Sequence, residues 1–439
     1  MAHKTLVGGT AYNITGGKSM VSGTTYNISG GRTLVGGTGY NISFSGGEPT
    51  AMLYSDGTFV FQEGDIVEEG KTLTASYTDF NITTSPPWFN SSSTFTTVRF
   101  DTEIAPVGMY QWFSGSRNMT SNIDNFTNLN MKFVTTMGQT FKNCKNLTGS
   151  PICGPNVTYM SSAYYNCCNL TGNPVCEPNV TNMYMTYYGC KNLIGSPVCG
   201  NKVTVMTYTY SDCYKLTGNP VCGANVTTMY ETYRNCSNLT GSPACGNKVT
   251  TMYYTYYNCS NLTGSPTCGA NVTNMRCAYP NCSNLTGSPV CGANVTDMGY
   301  TYENCYKLTG SPVCGNNVTI MAWTYDNCKN LAGNAYFYSS IINNARGCFR
   351  NKNNSKRLNI YVPINSTTQT TVLSIGAYSL VTNSITYTNA GTYHYNTAYN
   401  IYIYPVENVA AAAIANGDEE ANANAGIIVN VNHGGGAID

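Results

Sequence analysis

Twenty cysteines lie between Cys144 and Cys348, and they carry most of the chemistry this sequence could perform. Thiols can pair as disulfides, ligate a soft metal or act as nucleophiles. Their spacing is regular. Cys144, Cys167, Cys190, Cys213, Cys236, Cys259, Cys282, Cys305 and Cys328 form one ladder in steps of 23, and Cys153, Cys176, Cys199, Cys222, Cys245, Cys268, Cys291 and Cys314 form a second. Cys168, Cys277 and Cys348 fall outside both ladders. The simplest reading is a small buried hydrophobe that stacks on its equivalents. Disulfides between ladders, for example Cys144 with Cys153 or Cys153 with Cys167, are a second reading, since loop-rich extracellular scaffolds use them. Metal binding fits poorly: intervals of 9 and 14 recur without a nearby His, and the array has no C-x-x-C pair.

Other catalytic constellations are scarce. The three histidines, His3, His394 and His433, sit far from any nucleophile motif, and there is no Walker loop, dinucleotide fingerprint, H-E-x-x-H or calcium loop. Glu68 with Glu69, or Asp101 with Glu103, could serve a glycosidase, but neighbouring acids are more often a solvated edge. We therefore expect no enzyme, no cofactor and no metal. Only 10% of residues are charged, and 22 basic against 21 acidic leave +1, so no basic field exists to hold nucleic acid. The opening MAHKTLVGGTAYNITGGK lacks an apolar signal core and no run is long enough for a membrane helix, so neither an ordinary secretion signal nor membrane insertion is expected. With 36 tyrosines and abundant Asn, Ser and Thr, the composition suits an extracellular or particle-borne protein.

The elements that position these residues follow from the same 23-residue step, which a fixed-period array explains. One unit reads NVTxMxxTYxNCxNLTGSPVCG. Val157, Met160, Tyr164 and Cys167 stand at i, i+3, i+7 and i+10, the spacing of one face of a short helix, and the preceding Asn or Thr could cap it. LTGSP supplies a turn, and the residues around Val175 and Cys176 are left for a short strand. The expected fold class is a repeat solenoid of β-strands and short helices with small β-rich modules at both ends. Pro280 would interrupt one helix.

Within the array the Val, Met, Tyr, Cys, Leu, Gly and Pro positions hardly change, whereas those just after each Met and each Tyr vary. We expect these to point outward and form a recognition stripe: Tyr184, Met185, Tyr188, Tyr208, Tyr230, Tyr253, Tyr254, Tyr257, Tyr300 and Trp323. Flat tyrosines also suit sugar rings. The many N-x-S/T triplets, such as those at Asn146, Asn156 and Asn179, arise from the repeat and are read as uncoupled from glycosylation.

The ends differ. Residues 1–46 carry Lys4, Lys18 and Arg32, and Tyr12, Tyr26 and Tyr40, each 14 apart, a pattern of paired short strands joined by Gly-rich turns. Residues 47–104 read as a β cap, with LYSDGTFVF as strand, turn and strand and TTVRFDT as a further strand. The array spans 105–350, a β-rich C-terminal cap 351–408, and a low-complexity tail 409–439 whose Ala run could be one short helix.

The unit, as in NVTNMYMTYYGCKNL at 179–193, resembles the BspA-type leucine-rich-repeat surface proteins, and Met109, Phe113, Ser116 and Met119 look like a degenerate entry repeat. That resemblance implies a leucine-rich-repeat-like solenoid. The second cysteine ladder and the SPVCG turn depart from the family pattern. KTLVGGTAYNI and RTLVGGTGYNI resemble segments near the starts of virion structural proteins from phages of Gram-positive bacteria. Together they imply a bacteriophage virion protein, tail- or fibre-associated, assembled in the host cytoplasm. It would dock to other virion proteins through its N-terminal repeats and present the array to a host-surface glycan or protein, with homo-oligomerisation allowed for. The alternatives are a bacterial BspA-like adhesin and a self-assembling decoration or filament subunit without a receptor.

Overall fold

The computed structural model describes residues 49–80, 82–339 and 341–351, together with the backbone of short strands on either side of them. At the N-terminus, β1 (His3–Val7) pairs with β2 (Thr10–Ile14), β3 (Lys18–Val21) with β4 (Thr24–Asn27), and β5 (Leu34–Val35) with β6 (Thr38–Gly39). Each pair is a separate antiparallel hairpin, so the 14-residue repeat is one hairpin per copy.

Next comes a four-stranded sheet in the order β10-β8-β7-β9, made of β7 (Pro49–Tyr54), β8 (Thr58–Glu63), β9 (Leu73–Tyr77) and β10 (Thr97–Phe100). The turn between β7 and β8 needs Gly57, whose φ is +83°, and Asp56 accepts a hydrogen bond from the Thr58 amide there. The sheet's inner face is aromatic: Phe61 stacks on Phe100 at 4.5 Å and on Trp112 at 5.4 Å. It seals the first repeat, because Trp88 donates its indole hydrogen to the Trp112 carbonyl and Phe113 stacks on Phe141.

From there to residue 351 the chain is a stack of repeated units, 23 residues long from Thr136 to Ile320, with a longer step from Met109 to Met137 before them and a step of 24 from Ile320 to Asn344 after. Parallel bridges join equivalent residues of successive units, from Thr136 to Tyr159, Asn182, Val205, Thr228, Thr251, Asn274, Asp297, Ile320 and finally Asn344. Each unit buries its constant residues completely. Val157, Met160, Tyr164, Cys167 and Leu170 have no exposed surface, nor do their equivalents through Leu308. This core is linear, since every unit covers its neighbour.

The expected helix is absent; among the described residues the only helical segments are the 3-10 turns Phe89–Thr94, Ile123–Asn125 and Met131–Phe133. The Met160–Cys167 segment is a row of overlapping turns. Ala163, Tyr165 and Cys167 donate to carbonyls three residues back, whereas Met160, Ser162, Tyr164 and Asn166 donate to Asn182, Tyr184, Thr186 and Tyr188 of the next unit. An α-helix spends every interior N–H on itself, whereas this row sends alternate ones along the stack. Ser162 and Asn166 take φ of +55° and +57°, a left-handed conformation that ends a right-handed helix.

Pro280 removes one bond of its row, the one that Tyr257 makes to Tyr254 in the unit before, and leaves the rest in place. It sits next to left-handed Asn281 at a turn position that suits proline, its carbonyl accepts from Asn258, and Cys282 still donates to Tyr279.

The strand is also elsewhere. The bridges lie just before each Met, and around Val175 no inter-unit ladder forms. There the Tyr187 hydroxyl accepts from the Val175 amide at 2.9 Å and donates to its carbonyl at 2.8 Å. The same pair of hydrogen bonds recurs twelve residues before Tyr164, Tyr210, Tyr233, Tyr256, Tyr279 and Tyr302. A buried phenol thus does the work of a neighbouring strand. Only the last unit forms one, β11 (Val313–Cys314).

β11 starts a second sheet. It pairs in parallel with β12 (Gly333–Phe337), β12 with β13 (Leu358–Pro363), and β13 with β17 (Tyr399–Tyr404), with β16 (Gly391–Asn396) antiparallel at the far edge. A separate pair joins β14 (Thr367–Gln369) to β15 (Ser384–Thr386). The C-terminal segments thus extend the sheet beyond the last unit. The 409–439 tail lies outside the described residues. None of the described helices is long and apolar enough to cross a membrane.

Candidate functional site

Each turn row has two left-handed residues, and they are filled differently. The second is Asn143, Asn166, Asn235, Asn258, Asn281, Asn304 or Asn327, with Gly189 and Asp212 as the exceptions. These types tolerate positive φ best. Asn235, Asn258, Asn281, Asn304 and Asn327 each donate a side-chain amide hydrogen to the equivalent residue one unit back at 2.6–2.8 Å, giving a polar ladder.

The first left-handed position holds Gln139, Ser162, Met185, Tyr208, Glu231, Tyr254, Cys277, Tyr300 and Trp323, with Gly347 in the last row. Nothing in the backbone favours a bulky side chain there, and left-handed conformation costs an L-residue about 1–2 kcal/mol. Every one of these rows uses the same turn, so that cost recurs along the stack. Most of these positions carry large and varied side chains, with Ser162 and Cys277 as the small ones besides Gly347.

The side chains form a row in two parts. In the first, Tyr188 meets Tyr208 at 6.2 Å, Tyr208 meets Tyr230 at 5.2 Å, Tyr230 meets Tyr253 at 5.1 Å, and Tyr254 bridges Tyr253 and Tyr257. Most of these pairs are steeply inclined, 83° for Tyr253 and Tyr254, so the rings do not close on one another as a stack. Tyr184 lies edge-on to Tyr208. In the second part Tyr300 and Trp323 stack in parallel at 5.3 Å, and the Arg346 guanidinium lies 5.0 Å from the Trp323 ring centre. Between the parts, Arg276 lies over Tyr300 and the Cys277 unit offers no ring.

Charge is set into the row. Glu231 lies 3.7 Å from Arg234, and burial raises its carboxyl above the usual range against the pull of that arginine. Arg276 faces Asp297 at 3.8 Å, and Arg350 grips Asp326, which is 2% exposed, with two nitrogens. Burial, then the hydrogen bond with Tyr230, pushes the Tyr208 phenol above its ordinary value. Tyrosine hydroxyls, a half-buried carboxylate and fixed guanidinia present hydrogen-bonding edges with apolar ring surface between them.

The ten stripe residues read from the sequence thus lie along one row, but Tyr184 alone reaches 36% exposure and the others are half-buried. Tyr300 and Trp323 do not offer open faces, since each covers the other and Arg346 lies against Trp323, so they present edges to solvent. The inclined rings from Tyr184 to Tyr257 are better placed for stacking a ligand. Arg276, Arg346 and Arg350 were not legible as members, because each belongs to a unit neighbouring the ring it touches.

All twenty cysteines are free thiols. In the first ladder each buried Sγ donates to the carbonyl of the aromatic residue in an earlier unit, at 2.9–3.2 Å, as Cys190 does to Tyr164. Burial pushes these thiols well above their ordinary range. The second ladder is half-buried as far as Cys268, and Cys176, Cys222, Cys245 and Cys291 accept a backbone N–H from the glycine of the next unit. A Cβ at Gly223 would lie 2.8 Å from the Cys199 sulfur, which accounts for the glycine that follows Cys199, Cys222, Cys245, Cys268, Cys291 and Cys314; Glu177 stands there after Cys176. Among the described residues no three metal-ligating side chains converge.

A third surface escaped the sequence reading. Asn271, Asn294 and Asn317 alternate with Thr273, Thr296 and Thr319 along an open groove that ends at Ile341. The N-x-T repeat was its signal. No family model, curated protein or solved structure matches this chain.

Proposed function

We propose that this is a bacteriophage virion protein, tail- or fibre-associated, that attaches the particle to the host surface. In this reading the 105–350 array is a leucine-rich-repeat-like solenoid of the BspA type, the N-terminal hairpins dock to other virion proteins, and the aromatic row contacts a host glycan or protein. The observation that carries the attachment role is the run of Met185, Tyr208, Glu231, Tyr254, Tyr300 and Trp323 at left-handed positions, where the backbone alone would select Asn or Gly. Tyrosine supplies contact area at low entropic cost, and charged groups among the rings add specificity.

Two experiments test it. Immunogold microscopy with antibody against the array, before and after lysis of the source culture, is expected to decorate particles; gold on the envelope of intact, uninfected cells would favour a cellular adhesin. Particles carrying Tyr253→Ala, Tyr254→Ala and Tyr257→Ala are expected to assemble normally and lose adsorption. Failed assembly would point instead to a self-packing structural subunit.

A further inference from the structure

The groove along the Asn and Thr columns differs from the aromatic row in lacking charge and rings. Its side chains are Asn, Thr and the closing Ile341. Each asparagine commits one amide hydrogen to a carbonyl one unit back: Asn271 to Asn247, Asn294 to Ala270 and Asn317 to Ala293, at 2.8–2.9 Å. Each threonine commits its hydroxyl hydrogen likewise, Thr273 to Thr250, Thr296 to Thr273 and Thr319 to Thr296, at 3.1–3.2 Å. What remains to face solvent, per unit, is one amide hydrogen against two oxygen atoms with free lone pairs.

The groove has a beginning with a cause. Earlier in the stack, Lys202 and Lys248 replace asparagine in this column, and their ammonium groups bond Asn179 Oδ1 at 2.8 Å and Asn225 Oδ1 at 2.7 Å. After Lys248 no lysine stands in the column, so the three asparagine oxygens from Asn271 onward lie uncovered.

We propose that this groove binds a neutral, linear polysaccharide lying along the stack. A sugar hydroxyl brings its own donor hydrogen, so a chain of them matches a surface rich in oxygens. A second copy of this face would bring two oxygens for each amide hydrogen on both sides, and a peptide backbone, with equal numbers of N–H and C=O groups, would leave one groove oxygen per unit without a donor. An anionic polymer finds no cation in the lining. Successive units are joined by parallel bridges, which sets them about 4.8 Å apart, close to the rise per ring of an extended pyranose chain, so successive rings meet equivalent asparagines. This inference rests on the attachment reading in that it supplies a class of host-surface ligand and a second contact surface.

The test uses the full chain in titration calorimetry against maltohexaose, cellohexaose and the hexamer of N-acetylglucosamine, with a heparin hexasaccharide as the charged control. Asn271→Lys, Asn294→Lys and Asn317→Lys together cover the groove with a residue this column already carries natively. At least one neutral hexasaccharide is expected to bind, at least tenfold more weakly to the triple variant and unchanged by the three Tyr→Ala substitutions. Thr296→Val, which keeps shape and removes one oxygen, is expected to weaken the same sugar severalfold and provides the readout should the triple variant misfold. Absence of neutral-sugar binding, tighter binding of the heparin fragment, or indifference to both groove variants overturns the inference. Particle adsorption separates it from the attachment reading: adsorption lost only in the Tyr variant leaves attachment standing without this groove, and adsorption intact in both variants removes attachment.

Discussion

Two files of tyrosine run along the same stack, and they do different work. In the buried column, Tyr164, Tyr187, Tyr210, Tyr233, Tyr256, Tyr279, Tyr302 and Tyr325 stack nearly parallel at 5.3–5.6 Å. Their hydroxyls substitute for missing strand partners. In the outer row the rings are mostly inclined, half exposed, and mounted where possible on strained backbone. Residue type is shared, and position in the turn decides the role: the column contributes to the fold, whereas the row draws on stability that the fold supplies.

Cutting the column is expected to produce the largest effect. Tyr256→Ala should destabilise by about 3–5 kcal/mol through lost burial and a cavity between two stacked rings, measured by denaturant unfolding. Tyr253→Ala in the outer row should cost less than about 1 kcal/mol. Equal losses would erase the distinction.

Alkali should act on the same core. Burial raises the Cys and Tyr pKa values in the folded state, so the folded chain holds protons that the unfolded chain releases. This stability is fully present below the unfolded thiol pKa of about 8.5 and declines above it, by about 1.4 kcal/mol per pH unit for each thiol ionised only on unfolding. Melting temperature is expected to fall steeply above that pH in the reduced protein. A flat profile to pH 10.5 would show that the thiols are less buried than described. Native-state alkylation by iodoacetamide should, for the same reason, be slow at the first ladder and faster at Cys153 and Cys176.

Tyr256→Phe is a subtler cut. It leaves the Ala244 amide and carbonyl without the phenol that bonds both, at a cost of about 1–3 kcal/mol. The smallest effect is expected from Tyr257→Pro, which copies Pro280 one unit earlier. A helix would lose about 3 kcal/mol or more; the turn row loses the bond from the Tyr257 amide to the Tyr254 carbonyl, 3.3 Å long, and should drop by about 1 kcal/mol. A loss of helical size would contradict the turn geometry.

How much of this was legible in the sequence depends on which hydrogen bonds a pattern reveals. The 23-residue step and the buried set of Val, Met, Tyr, Cys and Leu are read directly from spacing, because burial repeats with the unit. The i, i+3, i+7, i+10 pattern suits a helix, but overlapping turns bring the same positions inward. Asn166, Asn235, Asn258 and their equivalents, with Gly189 in the same place, were the overlooked sign of a left-handed residue. Val175 and Cys176 looked like a strand because nothing local shows that a phenol twelve residues later takes their backbone bonds. The outer row was visible as variation between units, whereas its arginines and the Asn and Thr groove depend on contacts between units that linear spacing does not display.

Under the proposed attachment role, the outer row holds large side chains at a cost to the fold because they serve recognition. Tyr254→Gly tests it directly, with thermal melting and adsorption of particles to host cells measured on the same variant. Relief of the positive φ is expected to leave stability unchanged or raise it by about 0.5–1 kcal/mol, while adsorption falls at least tenfold. A clear loss of stability with normal adsorption would contradict the claim and return Tyr254 to the structural core.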